Sequence, residues 1–494
     1  MPAISYVDFS GGLDRRLPIN VQDASRLYVL RNAFVTLGKR IKKRPCLKLE
    51  KTGLTGSFGL AEINGVLNVF VDKGSPFVPP AGMLSIGLDS GLTAAIPFAP
   101  GTLLGIKKVV LFQGFPYVVA LQGINFTPSG GGPTVVVPTT RHHYVDGGPN
   151  TNVLDANCPQ TESITVAASR VYAINDETVR YCAAGAARDW TTADDAGFLP
   201  TGIQQNTTIG CTAVGTFEDA LTVFFPDSAQ IWDVAVDPTG NAIRKRIYGV
   251  GTTHPYSLAS WASDLAFLSP FGFRSMTVAA NTDRIDDTDV GVAVDSLVIP
   301  DVTIADSLPD NNKNDVFSAW IPQLGQYWTV FDNGATSKVW AYTYSRSSKI
   351  GCWSEYTLPV RVKALTTLLG RVYLRTDNDL FSIDAETYVD NGGDAPLVEI
   401  QMAFQDAKSP GVLKQFSGAD FVFQGTPNVS YLYDPRDLDK ETVPQTISGD
   451  TRPGDIVPVE VCSAAIAPIF RHQLDEAFEI DACTLYFNTL GLNG

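Results

Sequence analysis

The chain reads as all-β, a β-propeller of about six to seven blades with an N-terminal arm containing a short helix and an additional C-terminal β region. Three observations predict this. Segments of alternating apolar residues broken by polar or glycine turns, the period-two signature of a hairpin, begin at Gly65, Gly114, Arg170, Asp219, Asp264, Gly325 and Gly370. They recur about every 50 residues, the length of a four-stranded blade. Gly 43 and Pro 31 are scattered through the 494 residues, which suits many short strands joined by turns, and 44% apolar against 18% charged residues can bury a large core.

Residues 1–50 read as an anchoring arm that ends in a first strand. After Asn20-Val21-Gln22-Asp23, the run from Ala24 to Val35 places Leu27, Leu30 and Phe34 at helical spacing, with Asp23 or Ser25 as N-cap. A basic run follows, Lys39, Arg40, Lys42, Lys43 and Arg44. It reads either as a solvated strand face or as a contact with an acidic partner surface or nucleic acid. No aromatic residue interleaves with it, which disfavours single-strand binding. Residues 51–393 are expected to form the propeller body. Residues 394–494 return to strand patterns, as in Glu399–Asp406 and Lys414–Gly425, and are expected to pack on the propeller or close its last blade.

Templates for chemistry mostly fail. There are four histidines; His142 and His143 are adjacent on an extended stretch and point to opposite sides, so they do not share a metal easily. His254 reads as a turn residue before Pro255. From Asp310, oxygen-bearing residues recur at Asn312 and Asn314 as in a calcium loop, but Asp315 and Ile321 stand where glycine and glutamate are required. Asp283, Asp286, Asp287 and Asp289 could converge on a cation, although a charged turn between blades is the plainer reading. Seven cysteines without a Cys-x-x-Cys pair fit thiols that are mostly buried, in a reducing compartment. No nucleophile elbow, phosphate loop or zinc-protease motif is present, and the reading is of a non-catalytic chain without cofactor or metal. No apolar run is long enough to span a bilayer, and the opening residues do not read as an export signal. The net charge of −15 opposes tight binding to a phosphate backbone.

Several short segments resemble one family. Gly11-Gly12-Leu13, then Arg31-Asn32, then Lys43-Arg44-Pro45 followed by Cys46 where glycine is usual, are similar to the opening of tail hub, or nozzle, proteins of short-tailed bacteriophages. Tyr181-Cys182 with Trp190 and Asp195-Ala196-Gly197, the hairpin carrying Leu268, Ser269, Gly272, Arg274 and Ser275, and the C-terminal stretches from Pro410 and Ser448 resemble later parts of that family, so the likeness covers most of the chain. The resemblance, with a size nearer the packaged-DNA stabilisation type, implies a homo-oligomeric ring, expected to be a hexamer, in the virion tail and assembled in the host bacterial cytoplasm. Its implied partners are the portal-adaptor connector and a distal needle, fibre or spike. DNA would slide through a shared acidic lumen without sequence-specific binding. The basic run Lys39–Arg44 would then anchor the ring on a neighbour. The alternative from another class is a carbohydrate-binding or carbohydrate-active propeller, for which seven tryptophans could supply stacking faces, although inter-blade packing explains them more simply.

Overall fold

A computed structural model of the chain describes residues 2–20, 22–54, 59–72, 83–88, 103–126, 134–148, 151–204, 210–261, 263–282, 289–307, 316–384, 386–451 and 456–490. Asp283, Asp286, Asp287, Asp310, Asn312, Asn314 and Asp315 lie outside the described residues. Among the described residues, seven sheets follow one another in chain order, each opening with a hairpin whose first strand faces an axis. Blade 1 holds Leu60–Ile63, Val66–Asp72 and Met83–Leu88, the last pairing in parallel; blade 2 holds Leu103–Phe112, Phe115–Phe126 and Val135–Tyr144. Blade 3 runs from Ile164–Ala167 through Arg170–Asn175 and Thr178–Tyr181 to Gly197–Leu199, and blade 4 from Ala213–Phe217 through Ala220–Phe224 and Ser228–Asp233 to Ala242–Tyr248. Blade 5 has Ala259–Trp261, Asp264–Ser269 and Gly272–Ser275, then two helices, Met276–Thr282 and Asp295–Ser307. Blade 6 is Phe317–Ile321, Gln326–Asp332, Ser337–Ser345 and Ile350–Leu358. Blade 7 takes Ala364–Leu368, Arg371–Arg375 and Asp379–Asp384, and its outer strand, Cys46–Thr52, arrives from the far end of the chain.

The side-chain alternation shows why a ring forms. In the second strand of blade 3, Val171 and Ala173 join the core shared with blade 2 while Tyr172 joins the one shared with blade 4. Val118 and Ala120 face blade 1 and Tyr117 and Val119 face blade 3. Leu265 and Phe267 face blade 4, whereas Ala266 and Leu268 face blade 6. A strand buried on both faces needs a sheet on either side, and repetition of that demand closes only when the last sheet meets the first. Leu380 and Tyr373 of blade 7 pack with Leu60, Leu67 and Val69 of blade 1 and complete the circuit. The axial strands differ. Ala364–Leu368 is half-buried throughout and Leu103–Phe112 nearly so, because one edge looks into an open channel.

The hairpin starts read from the sequence fall at the second strands of these blades. In five of the seven, the two-residue turn before that strand has both residues at positive φ: Asn64-Gly65, Gln113-Gly114, Ala168-Ser169, Glu218-Asp219 and Leu369-Gly370. This is the turn whose twist matches paired strands. Adjacent tips are tied, Asn64 Nδ2 donating to the Gly114 carbonyl at 2.9 Å.

The first fifty residues do not form an arm, and their expected helix is absent. Arg26–Arg31 and Ala33–Val35 are strands. A β-bulge between Leu27 and Val29 puts Leu27 opposite Met402 and Leu30 opposite Ile400, so both point inward, three positions apart as in a helix. Asn32, at φ 54°, then breaks the run. Together with the C-terminal region these strands build a sandwich. One sheet is Val457–Ser463, Lys414–Gln424, Glu479–Thr489, Ile41–Lys43 and Ala33–Val35, with Ala3–Tyr6 also on Glu479–Thr489. The other extends blade 6 through Gly12–Leu13, Arg26–Arg31, Val398–Met402, Ala467–His472, Asn428–Leu432 and Gln445–Thr446. Phe421 meets Phe470 edge-on at 5.8 Å across the interior.

Candidate functional site

The N-terminal segments that carry the family resemblance, around Gly12, Asn32 and Arg44, meet at the seam between sandwich and propeller, whereas Tyr181, Cys182 and Trp190 lie in the cores around blade 3. Gly12, at φ 54°, brings the chain against blade 6; a Cβ there would sit 2.3 Å from Cys352 Cβ. Leu13 can therefore pair with both Trp353 and Leu27. Arg31 reaches Glu399 at 3.0 Å and Glu355 at 3.4 Å, on either side of the seam. Asn32 donates to the Leu397 carbonyl and accepts from Thr357 N and Arg44 Nε. Arg44 is buried. Its guanidinium forks onto Asp390, with contacts of 3.0 and 2.5 Å, and also donates to the Thr357 carbonyl, while Asp390 accepts from Leu47 N. The Leu268–Ser275 hairpin is likewise architectural: buried Arg274 pairs with Asp295 at 2.9 Å, and burial pushes neighbouring Asp289 up to about 6.

The basic run is therefore not one surface. Lys43 is buried, its Nζ donating to the Leu474 carbonyl at 2.8 Å, and burial lowers its pKa. The pairing of Ile41–Lys43 in the sandwich turns Lys42 outward and Lys43 inward, as strand alternation requires. Lys39 pairs with Asp8 at 2.7 Å, and Arg40 with Glu479 and Asp481, each at 3.3 Å. At the surface remain Lys39, half-buried, and Arg40 and Lys42, exposed, the first two beside carboxylates; Lys43 and Arg44 hold the seam.

His142, Tyr117 and Cys158 come together in the core between blades 2 and 3. Tyr117 Oη lies 2.9 Å from His142 Nδ1, Cys158 Sγ 3.5 Å from it, and His142 Nε2 is 2.7 Å from the Thr161 carbonyl. With Nε2 donating to that carbonyl, Nδ1 is left to accept. Burial lowers His142 to about 4 and raises Cys158 far above the ordinary thiol range, so both are neutral and shut off from substrate. This is a satisfied core network. His143 turns the opposite way, onto Thr151 Oγ1 at 3.0 Å, and His254 precedes the short helix Pro255–Ser257, its main-chain carbonyl accepting from Ser257 N. Six tryptophans are buried and Trp320 is half-buried, all within inter-blade cores.

The feature that sequence reading missed lies on the axis. Inner strands of blades 1, 2, 6 and 7, with the segment entering blade 5, line an open cavity of about 390 Å³ whose walls include Glu62, Lys107, Lys108, Tyr256, Ser318 and Lys363. Its signal was a lysine pair inside an otherwise apolar strand, Leu103–Phe112. A second hollow, at the tips of blades 3 to 5, is rimmed by Glu218, Asp219 and Asp264.

No protein-family model matches the chain, and no curated protein matches it. Among solved structures, the Pan2 WD40 domain of Neurospora crassa is similar over 68% of this chain and 97% of its own, at 10% identity and TM-score 0.32. Hsv2 of Kluyveromyces lactis is similar over 51% of this chain and 72% of its own, at 9% identity and TM-score 0.27.

Proposed function

We propose that the chain is a structural subunit of a ring in the tail of a short-tailed bacteriophage, a hub or nozzle below the portal-adaptor complex that carries distal tail parts and helps retain packaged DNA. One observation supports this reading above others: the N-terminal residues of the family resemblance, Gly12, Leu13, Arg31, Asn32 and Arg44, join sandwich to propeller. They are determinants of this two-part fold, so a shared set of them argues for a shared fold. The net charge of −15 suits a conduit from which DNA phosphates are repelled. Such a conduit belongs to the ring of copies, because the axial cavity of one propeller has the volume of a small-ligand site. The reading assigns no catalysis.

Electron microscopy of the purified chain mixed with DNA-filled heads bearing portal and adaptor tests it. A ring seated on the connector is the expected image. A chain that stays monomeric, leaves such heads bare and instead binds glycans would replace this reading with the carbohydrate one. Serine at Lys39, Arg40 and Lys42 together should weaken seating about tenfold without unfolding the chain; unchanged seating would remove these residues from the interface.

A further inference from the structure

The axial cavity has an electrostatic feature that the packing of the propeller does not need. The first strand of blade 2 carries a bulge between Ile106 and Lys108, which lets Lys107 and Lys108 both line the cavity. Lys107 is answered there: its Nζ lies 4.0 Å from Glu162 Oε1, and Tyr256 Oη donates to Glu162 Oε2 at 3.0 Å. Lys363 is answered by Asp332 at 3.3 Å. Glu62, a carboxylate in the lining, accepts from Gly65 N at 2.5 Å. Lys108 has no ion pair, hydrogen bond or ring contact among the described residues, although it is half-buried, and burial alone acts on its pKa, downward. A half-buried ammonium without a counter-charge is costly to keep. The inner strands around it pair on one edge only, so their other edges offer main-chain N–H groups to the channel.

We infer that the axial cavity is a binding site for a small oxyanion, a phosphate or a carboxylate, whose charge is held by Lys108. The volume of about 390 Å³ admits such a molecule, and Lys107 and Lys363, already paired with Glu162 and Asp332, leave Lys108 as the cation to meet it. The inference stands apart from the ring reading, since it concerns a single propeller.

Two measurements on the full-length chain test it, with inorganic phosphate or citrate as probe and sodium chloride holding ionic strength constant. The first is lysine acetylation followed by mass spectrometry on the unaltered protein. At millimolar concentration one probe should slow labelling of Lys108 at least about tenfold and leave exposed Lys42 unchanged; protection by phosphate alone or by citrate alone names the class. Equal labelling with and without both probes overturns the inference, as does protection that needs molar concentrations, the mark of an adventitious ion. The second is thermal unfolding, in which the probe should raise the midpoint of the unaltered chain and of Lys108→Arg but not of Lys108→Met. An equal rise in Lys108→Met also overturns it.

Discussion

Arg44 illustrates how one side chain can look like surface in a sequence and act as a rivet. It lies in the densest basic run of the chain, yet its guanidinium is buried against Asp390, Asn32 and the Thr357 carbonyl. A bidentate buried pair is a weak net stabiliser as a unit, but losing one partner strands the other charge. Arg44→Met should therefore lower stability by about 3–5 kcal/mol in urea unfolding, and Arg44→Met with Asp390→Leu should recover much of that loss. His142 makes a second residue-scale prediction, with the opposite sign to a salt-bridged histidine. Its folded pKa is about 4, against an ordinary value of 6.5, because burial disfavours the imidazolium. The unfolded chain takes up the proton first, so stability is complete above about pH 6.5 and falls by about 3 kcal/mol as the pH drops to about 4. His472, whose pKa burial also lowers, adds in the same direction. Asp289, raised to about 6 by burial, acts the other way over the same range, so the comparison between chains is the test: in chemical denaturation at pH 7 and pH 4.5 the loss should be smaller in His142→Gln, and an equal loss in both chains would contradict the burial argument.

At the scale of elements, the hairpins were legible because everything that specifies them is local. Alternation and a turn pair lie within about a dozen residues, and neighbouring sheets need only accept the result. The Arg26–Arg31 strand was misread for an equally definite reason: its bulge imitates helical spacing, and no local signal separates the two when Leu27 and Leu30 are the only inward residues. Lys43 and Arg44 were misplaced because burial of a charge depends on Leu474 and Asp390, hundreds of positions away. The turns give the prediction at this scale. Ala168 and Ser169 occupy left-handed conformations that cost a residue with a Cβ roughly 1 kcal/mol each. Replacing them by Asn and Gly should raise stability by about 1–2 kcal/mol, read as a higher denaturant midpoint with an unchanged slope. No gain would mean that the turn is held by its hydrogen bond from Gly185 N to the Ser169 carbonyl more than by intrinsic preference.

For the whole molecule, the propeller and the sandwich share a continuous sheet through blade 6 and one hydrophobic core with blades 5 and 6, so the two parts are not expected to fold apart. A chain cut after Gly393 would leave Leu27, Leu30 and Ile41 without Ile400, Phe421 and Ile480. It should aggregate or lose its cooperative unfolding transition in calorimetry; a soluble, cooperatively melting fragment would show that the propeller stands alone. The closing strand of blade 7 sets a further condition. Glu50 bonds Ser382, 332 positions later, and Cys46–Thr52 is synthesised before any other strand of the ring. A ribosome therefore releases blades in order while the seam stays open, its first-made edge waiting for its last-made partner. Until Asp379–Asp384 emerges, every nascent chain displays an unpaired strand, and copies translated side by side on one message have that edge to offer one another.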